Sequence, residues 1–185
     1  MLDVTQIESL DSDNMLGHIV SLPTQITQAW NHGMELPLPD VSNISNIVIL
    51  GMGGSAIGGS LLQTLVAPEC KVPISSNRDY EIPYFVGPNS LVIALSYSGN
   101  TEETLTALES AQKQSAQVVS ISTGGQICTL TQENNGLSWL YDYKSQPRAA
   151  LGYSLILPLV LLHRIGLARD FSADIAETQN ILTDQ

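Results

Sequence analysis

The chain has 185 residues, 43 % hydrophobic and only 14 % charged, with seven basic against eighteen acidic side chains and a formal charge of −11. That length suits one well-buried domain, the composition excludes disorder, and the acidic balance excludes nucleic acid and anionic membranes as natural partners. The longest apolar run, Leu155–Leu162, is far too short to span a membrane, and Cys70 and Cys128 sit in no metal-spaced or redox-spaced motif, so a soluble, reduced, cytoplasmic protein without metal or other cofactor is expected.

Apolar positions at helical spacing (Leu16, Ile19, Val20, then Ile26 and Trp30) predict an N-terminal helix pair from Met15 to Trp30, with Pro23 starting the second helix after a kink. Gly33 to Asn46 reads as a loop leading to a first strand, Ile47–Leu50. Next comes Gly51-Met52-Gly53-Gly54-Ser55-Ala56-Ile57-Gly58-Gly59, a glycine-dense turn opening a helix that runs to about Ala67. Gly51, Gly53 and Ala56 fit a dinucleotide fingerprint, but the acidic residue wanted at the end of the next strand is replaced by Ser76-Asn77, and Asp79 lies beyond it. A nicotinamide or flavin site is therefore disfavoured. The competing reading is that these glycines serve only close helix-to-strand packing.

Val72–Ser76 and Leu91–Leu95 follow as strands, the second running into Ser96-Tyr97-Ser98-Gly99-Asn100-Thr101 and then a helix from Glu102 to Gln114. A helix N-terminus has unpaired N–H groups and a positive dipole end, so Ser96, Ser98 and Thr101 with main-chain donors can hold an oxyanion without a lysine. Serine and threonine at such a place also serve as plain caps, and Thr101 followed by two carboxylates fits that reading too. Gly99 favours the anion, because a glycine just before the helix permits positive φ and close approach of a ligand. A strand at Gln117–Ser122, a short helix near Ile127–Gln132 and an edge strand at Leu137–Tyr141 continue the alternation, which predicts an α/β fold with a parallel sheet. Ala149–Leu167 is apolar on nearly every face and predicts a helix that exposes an interface for self-association, with His163 as a structural residue. Ser172–Leu182 forms a last, weakly amphipathic helix.

Three motifs in order carry a resemblance: Gly-Met-Gly-Gly-Ser at Gly51–Ser55, Ser-Tyr-Ser-Gly-Asn-Thr-Glu-Glu-Thr at Ser96–Thr104, and Pro-Arg-Ala-Ala-Leu-Gly-Tyr at Pro147–Tyr153. From about Met15 to Ile175 the chain resembles the bifunctional phosphoglucose/phosphomannose isomerases of the sugar isomerase (SIS) superfamily. The resemblance implies a flavodoxin-like three-layer sandwich around a central parallel five-stranded sheet. It divides the chain into N-terminal helices and loop (1–45), a SIS domain (46–168) and a C-terminal helix (169–185). It also implies that Gly54, Ser55, Ser96, Ser98 and Thr101 surround the phosphate of a hexose 6-phosphate and that Arg148 faces the reacting carbons. Ala56 departs from the family, where glycine is common. Family members carry a second SIS domain that supplies a glutamate base, a histidine and a C-terminal lysine, none of which maps onto this chain. An N-terminal half, or a single SIS protein whose partner supplies the rest, is the expectation, with a homodimer or a partner carrying a second SIS domain as the expected assembly.

Isomerisation of an aldose to a ketose through an enediol needs a base, a ring-opening acid and positive charge for the enediolate. Arg148, in a loop stiffened by Pro147, offers the charge; its competing reading is a surface ion pair. Glu102 and Glu103 are poor bases, since a helix N-terminus favours the charged carboxylate, and Glu35, Glu81 and Glu133 have no distinguishing context. An isomerase half and a non-catalytic phosphosugar-binding module both fit the residues.

Overall fold

In the computed structural model, which describes residues 10–184, five parallel strands stand in the order β2-β1-β3-β4-β5. They are β1 (Asn46–Leu50), β2 (Ile74–Asn77), β3 (Ser90–Leu95), β4 (Gln117–Ser122) and β5 (Leu137–Leu140). The registers are continuous from Ile47 opposite Leu91 to Leu95 opposite Ile121. β-branched and leucine residues dominate β1, β3 and β4, and both faces of those strands are buried, as parallel sheets require.

Alternation along each strand assigns the two faces. Ile47, Ile49, Leu91, Ile93, Leu95, Val119 and Ile121 belong to the larger core with α2 (Leu22–Glu35), α3 (Gly53–Val66), α6 (Leu151–Arg164) and α7 (Ser172–Thr183). Val48, Leu50, Val92, Ala94 and Val118 pack on the other side against α4 (Glu102–Lys113), α5 (Gln126–Glu133) and the loop residue Val86. The result is the flavodoxin-like three-layer sandwich, with helices on both faces. α1 (Met15–Val20) precedes α2, and Pro23 stands in the first turn of α2 as its fixed φ allows.

Most predicted boundaries fall within two residues of the observed ones. The second helix of the N-terminal pair runs on to Glu35, past the predicted loop start, because the Arg164 guanidinium donates to the carbonyls of Gly33 (2.8 Å) and Leu36 and satisfies its C-terminal end. His163 stacks on Trp30 with ring centroids 5.7 Å apart, a packing role as expected.

One expectation is corrected. The segment from Ala149 to Leu167 does not present an apolar interface: a 3₁₀ turn at Pro147–Ala149 precedes α6, and from Gly152 to Leu162 only Leu155 is more than slightly exposed. α6 lies in the middle of its layer, flanked by α2 and α3 and backed by the sheet, so this chain itself covers the apolar faces. Its all-round hydrophobicity marks a central helix of one domain. The exposed apolar stripe lies on α3 instead, at Ile57, Leu61 and Leu65, which recur every four residues on one helix face.

Candidate functional site

The strand order reverses between β1 and β3: β1 connects through α3 to β2 on one side, and β3 connects through α4 to β4 on the other. The loops leaving their C-terminal ends therefore diverge and open a crevice, the usual ligand position in such sheets. Gly51–Ser55 forms one wall and Ser96–Thr101 the other, and they meet where the Tyr97 N–H donates to Ser55 Oγ at 3.3 Å. Ser55 and Ser96 are buried, Thr101 is half-buried and Ser98 is exposed.

Each wall ends in a helix whose first N–H groups have no partner among the described residues. α4 begins after Thr101 without a side-chain cap, so the capping alternative is not realised; Thr101 Oγ1 instead lies 3.0 Å from Ser96 Oγ. The first bond of α4 runs from Leu105 N–H to Thr101 O, which leaves the N–H groups of Glu102, Glu103 and Thr104 without partners among the described residues. α3 likewise lacks a side-chain cap at Met52, and the N–H groups of Gly53 and Gly54 are unpaired there. Two positive dipole ends, free N–H donors and the hydroxyls of Ser55, Ser96 and Thr101 thus border one crevice, chemistry suited to an oxyanion.

Glycine shapes both walls. Gly99 has φ +69°, and a Cβ there would overlap the carbonyl oxygen of Gly124, so the β3 loop lies directly on the loop after β4. Ser96 Oγ accepts the Gly99 N–H (3.1 Å), Ser98 Oγ accepts that of Asn100 (3.3 Å), and Asn100 Oδ1 accepts that of Gln126 at the start of α5 (3.0 Å). On the other wall, a Cβ on Gly54 would stand 3.0 Å from the backbone N and Cα of Arg148 and from Pro147 O. That approach lays the segment after β5 across the glycine turn and brings Arg148 to the mouth of the crevice.

Arg148 is exposed and has no hydrogen bond or ion pair among the described residues, so the surface-ion-pair alternative is not realised. This sets it apart from Arg164, Arg169 (2.6 Å from Asp174) and Lys113 (4.0 Å from Glu109), all of which have partners. Glu102 and Glu103 occupy the first turn of α4; with desolvation as the larger cause, they help raise the Tyr80 phenol above its ordinary range. Arg78, just past β2, donates to Ser60 Oγ at 2.8 Å, and the strand itself ends in neutral Asn77, without the carboxylate a dinucleotide ribose would want.

Sequence reasoning assigned no role to Tyr97. Its phenol donates to Tyr143 O and accepts the Ser145 N–H, both at 2.7 Å, while its carbonyl accepts the Thr123 N–H (3.1 Å) and hydroxyl (2.7 Å). No local signal marks this role, because every partner but Ser55 lies more than twenty residues downstream. A cleft of about 400 Å³ bordered by Leu38, Asp40, Gln117 and Asn135 opens at the far end of the sheet, away from all of these groups.

The SIS domain family model matches residues 41–136, and the chain belongs to that family. It is 41 % identical over 171 residues to a bifunctional phosphoglucose/phosphomannose isomerase of Caldicellulosiruptor bescii, covering 92 % of this chain and 50 % of that one. A second bifunctional phosphoglucose/phosphomannose isomerase, of Thermoplasma acidophilum, is 40 % identical over 144 residues, 76 % of this chain and 41 % of that one. The chain thus spans about half the length of the curated relatives it matches. Among solved structures, the tagatose-6-phosphate ketose/aldose isomerase of Escherichia coli superposes with a TM-score of 0.66 at 19 % identity, covering 92 % of this chain and 53 % of that one. That likeness is one of fold. No described helix is long and apolar enough to cross a membrane.

Proposed function

We propose that this chain is the phosphosugar-anchoring part of a cytoplasmic aldose-ketose isomerase that interconverts glucose 6-phosphate or mannose 6-phosphate with fructose 6-phosphate. Gly54, Ser55, Ser96, Ser98 and Thr101 hold the phosphate, residues 46–168 form the binding unit, and Arg148 stabilises the negative charge of the enediolate. The observation that carries the reading is the meeting of two uncapped helix N-termini and their hydroxyls with one unpaired arginine at the switch point. The curated relatives named as phosphoglucose/phosphomannose isomerases support the substrate class.

A thermal scan tests the anchoring role. At a hundred times the dissociation constant, fructose 6-phosphate stabilises by about 2.7 kcal/mol, a rise of roughly 5–10 °C, while glucose and fructose leave the midpoint unchanged. Equal shifts with phosphorylated and free sugars would remove the phosphate site.

Turnover by the isolated chain is expected to be several orders of magnitude below that of a complete enzyme. Arg148 supplies charge, but no described carboxylate or histidine at the crevice has the setting of a base or ring-opening acid, and each such group contributes about a hundred- to ten-thousand-fold. A coupled assay of fructose 6-phosphate conversion decides this: robust turnover lost in His163→Ala or Glu103→Gln would show that one domain supplies its own acid and base. The same lack favours a second reading, a non-catalytic phosphosugar-binding module, for which binding persists and no added partner restores turnover. Association with a second copy, or with another SIS domain, is supported by the exposed stripe Ile57, Leu61 and Leu65 on the helix that borders the crevice. Sedimentation as a dimer that Leu61→Glu dissociates is the expected result, and a monomer at micromolar concentration would contradict it.

A further inference from the structure

We propose that Tyr97 is a positioning residue that sets the distance between the anion crevice and Arg148, and so makes the site select a phosphorylated sugar over phosphate alone. The inference rests on the phosphosugar reading above and assigns it a residue that touches neither the phosphate nor the reacting carbons.

Tyr97 lies between two residues of the crevice wall, and its polar atoms reach three other chain segments. The N–H binds Ser55 on the β1 side, the carbonyl holds Thr123 after β4, and the phenol bridges Tyr143 O and Ser145 N–H in the segment after β5. Two bonds of 2.7 Å to one backbone stretch, one donated and one accepted, define the phenol's place as a single bond would not. Ser145 is three residues before Arg148, and the chain between them turns tightly, Ala149 N–H donating to Gln146 O at 2.9 Å. The far side of this segment after β5, the strap, is anchored too: Tyr143 Oη lies 2.8 Å from His18 Nδ1 and 3.0 Å from Ser21 Oγ, and accepts from Gln25 Nε2 at 2.9 Å. Gln25 in turn accepts the Gly152 N–H of α6 at 3.3 Å. The strap is thus pinned behind by the N-terminal helices, below by Gly54 and in front by Tyr97. Of these, Tyr97 alone belongs to the wall that carries Ser96, Ser98 and Thr101.

Tyr97→Phe keeps the ring, which packs edge-on to Tyr141 with centroids 6.5 Å apart, and keeps the backbone bonds to Ser55 and Thr123. It deletes both bonds to the strap. Calorimetry with inorganic phosphate and with fructose 6-phosphate should then show phosphate affinity changed less than about twofold and fructose 6-phosphate affinity lowered roughly three- to tenfold, the scale of lost hydrogen bonds to a positioned group. Arg148→Ala should give at least the same selective loss, and Tyr97→Phe added to it should cost nothing more, since both act through one guanidinium. Equal losses for the two ligands, or additive losses in the double variant, would overturn the positioning role and leave Tyr97 a structural residue. Should Tyr97→Phe not fold, Ser145→Pro removes the amide donor from the opposite side and is held to the same ratio. If the unaltered chain binds neither ligand, the functional reading itself fails and this inference with it; binding by the unaltered chain with an unchanged ratio in the variants sinks this inference alone.

Discussion

The two strand-to-helix junctions at the switch point do the same geometric job by opposite means. At Gly51–Ser55 the chain removes side chains, so that backbone can lie against backbone: Gly54 meets Arg148, and further along α3 Gly58 meets Ser154, while Gly59 makes room for the Ile49 side chain. At Ser96–Thr101 it adds hydroxyls, and Ser96, Ser98 and Thr101 bond within the loop while Gly99 fits against Gly124. The first junction is sensitive to what is added, the second to the loss of its hydroxyls and, at Gly99, to any side chain added. Of the two readings of the glycine run, a dinucleotide turn or close packing, packing describes Gly58 and Gly59, and Gly54 adds what neither reading held, the close approach of the strap.

That contrast can be broken by substitution. The largest effect should come from Gly99→Ala, where a Cβ meets both a positive φ and the Gly124 carbonyl; a loss of about 2–4 kcal/mol in urea unfolding is expected, and a loss under about 1 kcal/mol would show that the loop can move aside. Gly54→Ala should come next, lowering fructose 6-phosphate affinity about tenfold with roughly 1–2 kcal/mol of stability, because the strap must retreat from a 3.0 Å contact with backbone. Unchanged affinity by calorimetry would mean that the strap's height does not matter. Thr101→Val at the other junction keeps shape and removes a hydroxyl, so affinity should fall roughly three- to tenfold with less than about 1 kcal/mol of stability lost. If affinity holds, Thr101 is a spacer.

The smallest effect belongs to a pair outside both junctions. The Arg169 guanidinium donates to Asp174 at 2.6 and 2.8 Å and, with its charge, holds that carboxyl below the usual carboxylate range. A folded value below the unfolded one means that the pair stabilises at neutral pH and loses this as pH falls from about 4 through the depressed value. Asp174→Asn should therefore lower the melting temperature slightly at pH 7, not at all once pH is well below the folded value, and leave ligand binding untouched. A change in fructose 6-phosphate affinity would couple this surface pair to the crevice.

Local periodicity in the sequence was enough to place β1, β3 and β4 and the helices that follow β1 and β3. Two- and 3.6-residue repeats are properties of neighbouring residues, and parallel strands buried on both faces announce themselves as unbroken apolar runs. The candidate hydroxyls were legible for the same reason: Ser96, Ser98 and Thr101 share one short loop with one glycine. Tertiary structure alone decided what depends on distant segments meeting. It covered α6 on all its apolar faces with α2, α3 and the sheet, and so moved the exposed apolar stripe to α3; it gave Arg164 to the end of α2; and it left Thr101 uncapping. It also gave Tyr97 its partners in the strap, 46 and 48 positions away in sequence. An apolar helix reads the same in sequence whether its own chain or another covers it, and a tyrosine reads the same whether its hydroxyl faces solvent or a backbone folded onto it, because those partners are chosen by the order in which strands cross the sheet.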